Sequence, residues 1–396
     1  MTPGLQEWDV VVVGAGPAGA TAALSVLAQA PTTRVLLLDR QDFPRDKCCG
    51  DGIASQAIDV LDALGARDVV EGWTPVRHLN LSRGPRHVEG RMAHPTWVIP
   101  RTVFDARIVD HATRAGASLL RHRVRTVRVD GAGDAGGRVV LDDTFSAKVV
   151  IGADGAQSVV GAQVGAPPRA RRAIALRGYA PTLPAVRGRQ VIRYGIRQQP
   201  SYAWAFDRGD GWSNVGYGEL ADPSSGLTRT FFLDELERLI PGAADAGTSW
   251  RAHHLPLSGW GWGREQPDGR ILLVGDAAGL VNPMTGEGIY YAVATGSVAG
   301  RAAAQALHER LPERAGALHR AAVRALLNTH LRHTWAAARL SRSTRIIEAG
   351  IAAAAKDQHV FDDLVEIGLS DGRITPRLAA GLVRGLVRPG PDERTG

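Results

Sequence analysis

The sequence predicts an α/β protein in which a Rossmann-like domain is interleaved with an antiparallel-sheet domain and followed by a helical C-terminal region. A glycine-rich turn, GAGPAG at 14–19, stands between an apolar β-rich run and a helix-forming run, as in the first unit of a Rossmann fold. Residues 171–264 contain strand-like runs separated by Gly-rich turns, which indicate an antiparallel sheet. Residues 300–388 are rich in Ala, Leu and Arg and indicate helices.

The glycine-rich turn has the composition needed to bind the diphosphate of a dinucleotide. Gly14 permits the tight turn, Gly16 lets the diphosphate approach the backbone, and Gly19 packs the helix on the strand. Phosphates are then expected at the helix N-terminus, beside Pro17 and Ala18, where free N–H groups and the helix dipole favour negative charge. The alternative is a glycine-rich turn that binds no ligand.

Three more strands lead to acidic residues. The strand at 34–38 precedes Asp39, which is placed to accept hydrogen bonds from ribose hydroxyls, and Arg40 follows it. Asp154 and Asp276, in the motifs GADG and GD, also follow apolar strands, whose carboxyl ends bind ligands in α/β sheets. Each carboxylate has an ordinary alternative role at a helix N-terminus. In this order, the four elements indicate one ligand, flavin adenine dinucleotide (FAD), bound along its whole length.

The late motif continues into a loop that we expect at the flavin ring. Gly275 and Asp276 open it, and Asp276 is a candidate for the ribityl chain or the pyrophosphate. The loop then enters a helix over 289–299, whose N-terminus would stabilise the anion of reduced flavin. The other loop residues expected to contact the cofactor are Pro283, Gly286, Glu287 and Gly288, and Met284 is expected to contact the substrate.

Together with these motifs, RDKCCGDG at 45–52, Arg101 with FD at 104–105, and YAWAF at 202–206 resemble the FAD-dependent oxidoreductases of the para-hydroxybenzoate hydroxylase type. Within that group the chain is most similar to the geranylgeranyl reductase family and its flavin monooxygenase relatives. The resemblance covers roughly residues 8–300, with a looser match in the helical tail. It implies that Cys49 and Gly50 lie near the flavin ring and that Arg101 serves the flavin face or the ribityl chain. A surface salt bridge is the alternative role for Arg101.

Two groups of residues are candidates for the chemistry, and we expect Cys49, Tyr202 and Trp204 at the catalytic centre. The resemblance places Cys49 near a reducible double bond, where its thiol would tune the flavin or relay a proton. A small thiol packed in a buried loop is an equal alternative. Strand alternation puts Tyr202, Trp204 and Phe206 on one face, where they would bind an apolar substrate or form ordinary sheet core.

Two reactions are consistent with the resemblance. In the first, oxygen and reduced flavin give a C4a-hydroperoxide, which hydroxylates or epoxidises an apolar small molecule of bacterial specialised metabolism. In the second, reduced flavin transfers hydride to a C=C bond of an isoprenoid or other polyene chain, and Cys49 or Tyr202 donates the proton. We favour the monooxygenase, because Cys48 and Asp207 stand where the reductase family usually has proline. A flavin halogenase and a non-enzymatic flavin-binding protein rank lower.

The source of electrons is left open by the sequence. No second dinucleotide fingerprint is found, so NADPH or NADH would bind transiently over the flavin, or a partner reductase or ferredoxin would supply the electrons. The net charge of +7 comes from scattered residues, which does not predict nucleic-acid binding. It favours a solvated Arg-rich surface, with attraction of NADPH or of an anionic membrane as alternatives.

The termini and cysteines predict a cytoplasmic protein that contacts membranes peripherally if at all. The N-terminal residues lack the basic and apolar regions of a signal peptide. Cys48 and Cys49 are adjacent, so they form no disulfide framework and lack the spacing of zinc ligands. The expected domains are an FAD-binding domain at 1–75, 101–170 and 265–305, a substrate domain at 76–100 and 171–264, and a helical region at 306–396.

Overall fold

The computed structural model of the protein describes residues 5–131, 137–165, 172–197, 199–221, 226–264 and 266–387. In these ranges the strands are β1 (Gln6–Val13), β2 (Val35–Asp39), β3 (Gly52–Ala54), β4 (Val76–Arg83), β5 (Arg86–Val98), β6 (Ser118–Arg121), β7 (Val127–Asp130), β8 (Arg138–Leu141), β9 (Phe145–Gly152), β10 (Arg172–Pro181), β11 (Arg189–Tyr194), β12 (Ser201–Asp207), β13 (Trp212–Leu220), β14 (Thr248–Pro256) and β15 (Ile271–Leu273). The α-helices are α1 (Pro17–Gln29), α2 (Ser55–Asp62), α3 (Arg101–Arg114), α4 (Val159–Gln163), α5 (Arg229–Leu239), α6 (Ile289–His308), α7 (Ala315–Leu340), α8 (Thr344–Ala354), α9 (Gln358–Leu369) and α10 (Pro376–Val387).

The first sheet has the strand order β6-β2-β1-β9-β8-β7, and β15 pairs with the second half of β9. Strands β6, β2, β1, β9 and β15 are parallel, whereas β7, β8 and β9 form an antiparallel edge. The four valines at the end of β1 and all of β2 are buried, as expected for parallel strands covered on both faces. Helices α1 and α6 pack against each other beside this sheet. The first sheet confirms the Rossmann-like part of the expected fold.

The second sheet has the strand order β14-β10-β13-β12-β11-β4-β5-β3. Its pairs are antiparallel, as the sequence predicts, except β11 with β4, which is parallel. The chain between β4 and β11 passes through the first sheet. No hairpin therefore connects these two strands and fixes their relative direction. Strand β3 pairs with β5 in this sheet, although it lies within the first range expected for the FAD-binding domain.

Helices cover both faces of the second sheet. On one face, Ala203, Ala205 and Tyr217 pack against α5. At one end of the other face, Leu79 and Val88 pack against α8, α9 and α10. The rest of that face borders a cavity between the two sheets. The helical C-terminal region thus closes one side of the space where the sheets meet.

Most elements expected from the sequence are confirmed, with differences at their ends. The sequence also predicts helices at 55–64 and 104–115, which are α2 and α3, and strand-like runs at 189–196, 202–207 and 212–219, which are β11, β12 and β13. It further predicts a hairpin with strands at 123–129 and 138–141 and a turn at 130–137. The hairpin is shorter in the structure, because its first strand begins at Val127, and most of the turn lies outside the described residues. Helix boundaries are also predicted at Pro376 and Gly385. Pro376 begins α10, whereas Gly385 lies inside it and permits close packing on Ala349.

None of the helices in the described part of the chain has the length and apolar character that crossing a membrane would require.

Candidate active site

A cavity of about 760 Å³ runs between the carboxyl ends of the first sheet and the inner face of the second sheet. Val13, Asp39, Ala153 and Val274, which end or follow four parallel strands, line one end of it. Tyr202, Trp204 and Phe206 line the other end. The structure therefore brings together most residues predicted from the sequence, in a volume typical of ligand pockets.

The glycine-rich turn begins the polar end of the cavity. Asp39 accepts hydrogen bonds from the Ala15 and Gln41 amides at 2.9 and 3.0 Å, so its buried carboxylate holds the turn against β2. Gly14 has a φ of +99°, and a Cβ on Gly19 would overlap the Gly14 carbonyl oxygen. Gly19 itself does not line the cavity and serves the close packing predicted for it.

The N-terminus of α1 faces this end of the cavity. Its N-cap, Gly16, supplies no side-chain hydrogen bond, and Pro17 and Ala18 line the cavity after it. Arg45, which was not among the predicted site residues, lies beside Gly16, since a Cβ placed there would be 3.3 Å from its guanidinium. Arg45 also pairs with the buried Asp105 at 3.1 Å. A helix N-terminus and a fixed guanidinium at one place favour a bound diphosphate.

Arg101 is buried and donates to both carboxylate oxygens of Asp105, at 2.5 and 2.8 Å. The alternative of a surface salt bridge is therefore wrong, because only 3% of the side chain is exposed. The Arg101 charge lowers the pKa of four neighbouring groups, whereas burial raises the pKa of each. These groups are the Cys49 thiol and the Asp51, Asp276 and Glu287 carboxyl groups. Arg101 thus stabilises negative charge in the middle of the cavity.

The two predicted carboxylates after β9 and β15 have different partners. Asp154 accepts hydrogen bonds from the Ser158 hydroxyl and from the Val159 and Val160 amides, so it caps α4 while lining the cavity. Asp276 pairs with Lys47 at 2.8 Å. Burial opposes its ionisation, but the Lys47 ammonium prevails and holds the pKa of Asp276 below its usual value.

Gly275, next to Asp276, does not line the cavity. Its φ is +54°, a Cβ there would be 3.2 Å from the Ala18 Cβ, and its amide donates to the Thr295 hydroxyl at 3.1 Å. Gly275 therefore joins the 3₁₀ turn at 275–278 to α1 and α6. This structural position differs from the direct cofactor contact that the sequence suggested.

The loop before α6 presents a helix N-terminus and a protonatable carboxyl to the cavity. Pro283, Met284, Gly286, Glu287 and Gly288 all line it. Glu287 accepts a hydrogen bond from the Tyr290 amide at 2.9 Å, and burial raises its pKa to about 7. Its charge raises the pKa of both the Cys49 thiol and the Tyr202 hydroxyl. Glu287 therefore lies within electrostatic reach of two of the three predicted catalytic residues.

The loop at 45–52, called the cysteine loop below, is fixed by the second sheet. Arg177, which is completely buried, pairs with Asp46 at 2.6 Å and donates to the Lys47 and Cys49 carbonyl oxygens. Both cysteines are free thiols. Burial raises the pKa of Cys48 to about 12 and also raises that of Cys49. Neither thiol is therefore an anion at neutral pH, although both keep a proton to donate.

Asp51 of the cysteine loop was missed by the sequence reasoning. It is completely buried at a φ of +59°, and its Oδ2 accepts from Tyr179 at 2.6 Å and from Asn214 at 2.8 Å. Its Oδ1 has no hydrogen-bond partner among the described residues. Burial raises the pKa of Asp51 to about 6. The environment of Asp51 is formed by Tyr179 on β10 and Asn214 on β13. Both are distant from Asp51 in the sequence, so no local pattern indicates it.

The aromatic side chains of β12 form one wall of the cavity, as strand alternation predicts. The ring centroids of Tyr202 and Trp204 are 6.0 Å apart, and those of Trp204 and Phe206 are 6.5 Å apart. Trp204 donates to Asn214 at 2.8 Å, and the Tyr202 hydroxyl donates to the Thr285 carbonyl. All three rings line the cavity.

Glycines on β13 make room for the central ring of this wall. A Cβ on Gly216 would overlap the Trp204 indole, and one on Gly218 would be 3.7 Å from it. Other apolar residues of the same end come from β11, β14, the loop after β14 and α9; they are Ile192, Tyr194, Leu255, Leu257 and Leu369. The substrate end of the cavity is therefore apolar and aromatic.

The lining fits an FAD molecule. The glycine-rich turn would hold the diphosphate, Asp39 the ribose, and Asp276 with the N-terminus of α6 the flavin half. In the described part of the chain no group of three or more His, Cys, Asp or Glu side chains is placed to hold a metal ion.

Comparison with known proteins agrees with this arrangement. The family model described as "FAD binding domain" matches residues 7–320. A menaquinone reductase of Mycolicibacterium smegmatis is 35% identical over 315 residues, covering 74% of this chain and 75% of the relative. Digeranylgeranylglycerophospholipid reductase 1 of Methanopyrus kandleri is 34% identical over 331 residues, covering 76% and 82%.

Solved structures show the same fold. A geranylgeranyl bacteriochlorophyll reductase-like protein from Thermoplasma acidophilum has a TM-score of 0.73 at 20% identity and covers 98% of both chains. The protein pqsL from Pseudomonas aeruginosa, a probable FAD-dependent monooxygenase, has a TM-score of 0.61 at 19% identity and covers 91% of this chain and all of its own. The fold is thus shared by proteins named for different reactions.

Proposed function

This chain belongs to the FAD binding domain family, as an FAD-dependent oxidoreductase, and we propose that it reduces carbon–carbon double bonds in the isoprenoid or other polyene chain of a lipid. One observation carries the proposal. The polar end of the cavity continues into an aromatic, apolar end, and a carboxyl group that holds a proton near neutral pH lies within electrostatic reach of both. Two of the similar proteins are named menaquinone reductase and digeranylgeranylglycerophospholipid reductase 1, and these names support a reduction over the monooxygenase favoured from sequence.

The apolar end would hold the substrate chain. Tyr202, Trp204 and Phe206 offer their ring faces and edges to a polyene, and apolar side chains from four other elements exclude water. When bound, FAD supplies the two electrons that reduction of a double bond consumes. The residues of the chain then have to orient the double bond and deliver one proton.

Glu287 is the proton donor in this proposal. Its pKa of about 7 leaves a large fraction protonated at neutral pH, which matches the optimum for a general acid. The sequence candidates, Cys49 and Tyr202, also keep their protons, but burial raises the pKa of both and makes them weaker acids. Cys49 and Tyr202 would instead pack against the reacting groups, with Tyr202 fixed through its bond to Thr285.

An anaerobic half-reaction tests this function. The FAD-loaded protein is reduced without oxygen, mixed with a detergent-dispersed geranylgeranyl lipid that has no quinone ring, and the flavin spectrum and product mass are recorded. We expect the flavin to reoxidise without oxygen and the product to gain two hydrogen atoms. A flavin that reoxidises only with oxygen, and a product that gains one oxygen atom, would support the monooxygenase instead.

The donor of electrons is a separate part of the proposal. NADPH, NADH and a reduced ferredoxin are each added anaerobically to the oxidised holoprotein, and the rate of flavin bleaching is compared. We expect one donor to reduce the flavin at least tenfold faster than the others. Equal, slow bleaching by all three would mean that the physiological donor is a different reductase.

A further inference from the structure

One surface of the molecule combines exposed tryptophan with unpaired arginine. Trp260, in the loop after β14, is 55% exposed, and its ring meets that of Trp335 on α7 edge to face at 5.4 Å. The Arg332 guanidinium lies 4.5 Å from the Trp260 ring, and that of Arg339 lies 5.0 Å from the Trp335 ring. Arg324 lies near the same part of the chain, since a Cβ placed on Gly263 would be 3.7 Å from the Arg324 guanidinium. We call Trp260, Arg324, Arg332, Trp335 and Arg339 the tryptophan–arginine surface.

The members on α7 share one side of the helix. Arg324, Arg332, Trp335 and Arg339 are separated by eight, three and four residues, which are helical repeats. The residues that α7 buries, including Val323, Leu327 and Leu331, face the rest of the molecule. The tryptophan–arginine surface is therefore presented outward along about four turns of helix.

The charge of this segment has one sign. The chain between Arg314 and Glu348 contains no aspartate or glutamate, and its arginines are Arg320, Arg324, Arg332, Arg339, Arg342 and Arg345. Arg320 pairs with Asp268 at 2.5 Å. Arg324, Arg332 and Arg339 have no carboxylate partner among the described residues. Since these three side chains are exposed, they are available to pair with anionic groups outside the chain.

We infer that the tryptophan–arginine surface docks the protein on an anionic lipid bilayer. Indole rings favour the interface between lipid and water, where an apolar ring and a polar N–H are both accommodated. Unpaired arginines complement anionic headgroups. The same loop carries Leu257 in the cavity wall and Trp260 at the surface, three residues apart, so docking would bring the cavity wall close to the bilayer. The inference rests on the proposed function in taking a lipid as substrate.

Partition into vesicles tests the inference without any substrate. The holoprotein is sedimented with vesicles of phosphatidylcholine alone and of phosphatidylcholine with one quarter phosphatidylglycerol, at low and high salt. We expect binding to the anionic vesicles at low salt and its loss at high salt, because the charges are exposed. R332Q/R339Q should lower the partition coefficient roughly 10- to 30-fold, and W260A should lower it several-fold.

A matched pair of substitutions lies elsewhere on the molecule. Trp212, which is 41% exposed at the start of β13, and Arg229, at the start of α5, are replaced in W212A and R229Q. These variants should partition like the wild type. Equal partition of R332Q/R339Q and R229Q, or no binding of the wild type to anionic vesicles, would overturn the inference.

Two further arms separate the explanations. If R332Q/R339Q loses reduction by ferredoxin while vesicle binding is absent in the wild type, the surface receives an acidic protein and the membrane inference is wrong. Turnover of a detergent-dispersed lipid should be unchanged in R332Q/R339Q. Vesicle binding without any double-bond reduction would leave this inference standing and refute the proposed function alone.

Discussion

The two ends of the cavity differ in whether the oxygens of their carboxyl groups have hydrogen-bond partners within the chain. At the dinucleotide end, Asp39 holds the turn of Ala15, and Asp154 caps α4. Near the substrate end, one oxygen of Asp51 has no partner among the described residues. Glu287, between them, keeps a pKa of about 7.

This difference matches the work expected at each end. A site that only binds benefits from groups whose hydrogen bonds already fix their orientation, because little ordering remains to be done on binding. A site that transfers a proton needs a carboxyl whose two protonation states are close in free energy at neutral pH. If every oxygen lone pair of Glu287 accepted a hydrogen bond, the pKa of Glu287 would fall. The two protonation states would then no longer be close in free energy at neutral pH.

The largest effect is expected from a substitution at the dinucleotide end of the cavity. In G19V, side-chain atoms would overlap the Gly14 carbonyl oxygen, so the turn and α1 cannot both keep their positions. We expect the purified protein to lack bound flavin, as measured by its visible absorbance per polypeptide. G259A, where a Cβ meets open space, is the matched control and should remain yellow. A yellow G19V protein would show that this turn is not what binds the diphosphate.

The next effect tests the junction between the ends. E287Q keeps an acceptor for the Tyr290 amide but removes the acid, so double-bond reduction should fall about 10²- to 10⁴-fold. In the wild type the rate should fall as the pH rises through about 7, because the protonated form is lost. The variant should lose this step while binding FAD normally. An unchanged pH profile in E287Q would assign the proton to Cys49, Tyr202 or Asp51.

A smaller effect sharpens the view of the substrate end. In G216A the new methyl group would overlap both the Trp204 indole and the Leu176 carbonyl oxygen of β10, so the ring and the neighbouring strand would have to shift. We expect KM for a long polyene lipid to rise about tenfold, with FAD content unchanged, since strain of this kind costs about 1–3 kcal/mol. G218A, where the Cβ would be 3.7 Å from the ring, is the control. If both variants bind substrate like the wild type, this aromatic wall does not contact the chain.

How much the sequence predicts also differs between the two ends. Gly14, Asp39, Asp154 and Asp276 are read from local patterns, because each follows a strand whose end is visible as an apolar run. The aromatic wall is likewise predicted, since strand alternation is local. These parts of the fold and site therefore need no knowledge of long-range packing.

The remaining site residues depend on partners far away in the chain. Asp51 gains its environment from Tyr179 and Asn214, more than 120 residues later, and Arg177 fixes the cysteine loop from a strand of the second sheet. The parallel pairing of β11 with β4 is equally non-local. A raised pKa is set by burial, which no short motif encodes. Arg45 belongs to both groups. The sequence motif that contains it can be recognised locally, but its position beside Gly16 depends on the fold.

The smallest expected effect concerns the stability of the FAD-free protein. Glu287 has an ordinary pKa of 4.5 and a folded value of about 7, so the folded state binds more protons than the unfolded state between these pH values. Stability due to Glu287 is therefore present below about pH 4.5 and is lost as the pH rises through about 7. Histidines whose pKa is lowered, such as His253 and His319, act in the opposite direction, so the wild-type profile alone is ambiguous.

The difference between E287Q and the wild type removes that ambiguity, because the histidines are common to both. We expect the unfolding free energy of E287Q relative to the wild type to increase by about 1–2 kcal/mol from pH 5 to pH 8 in urea titrations. A flat difference would mean that Glu287 is solvated like an ordinary surface carboxyl. The junction between the two ends would then have no proton to offer at neutral pH, and the contrast between a binding end and a reacting end would have to rest on Asp51 alone.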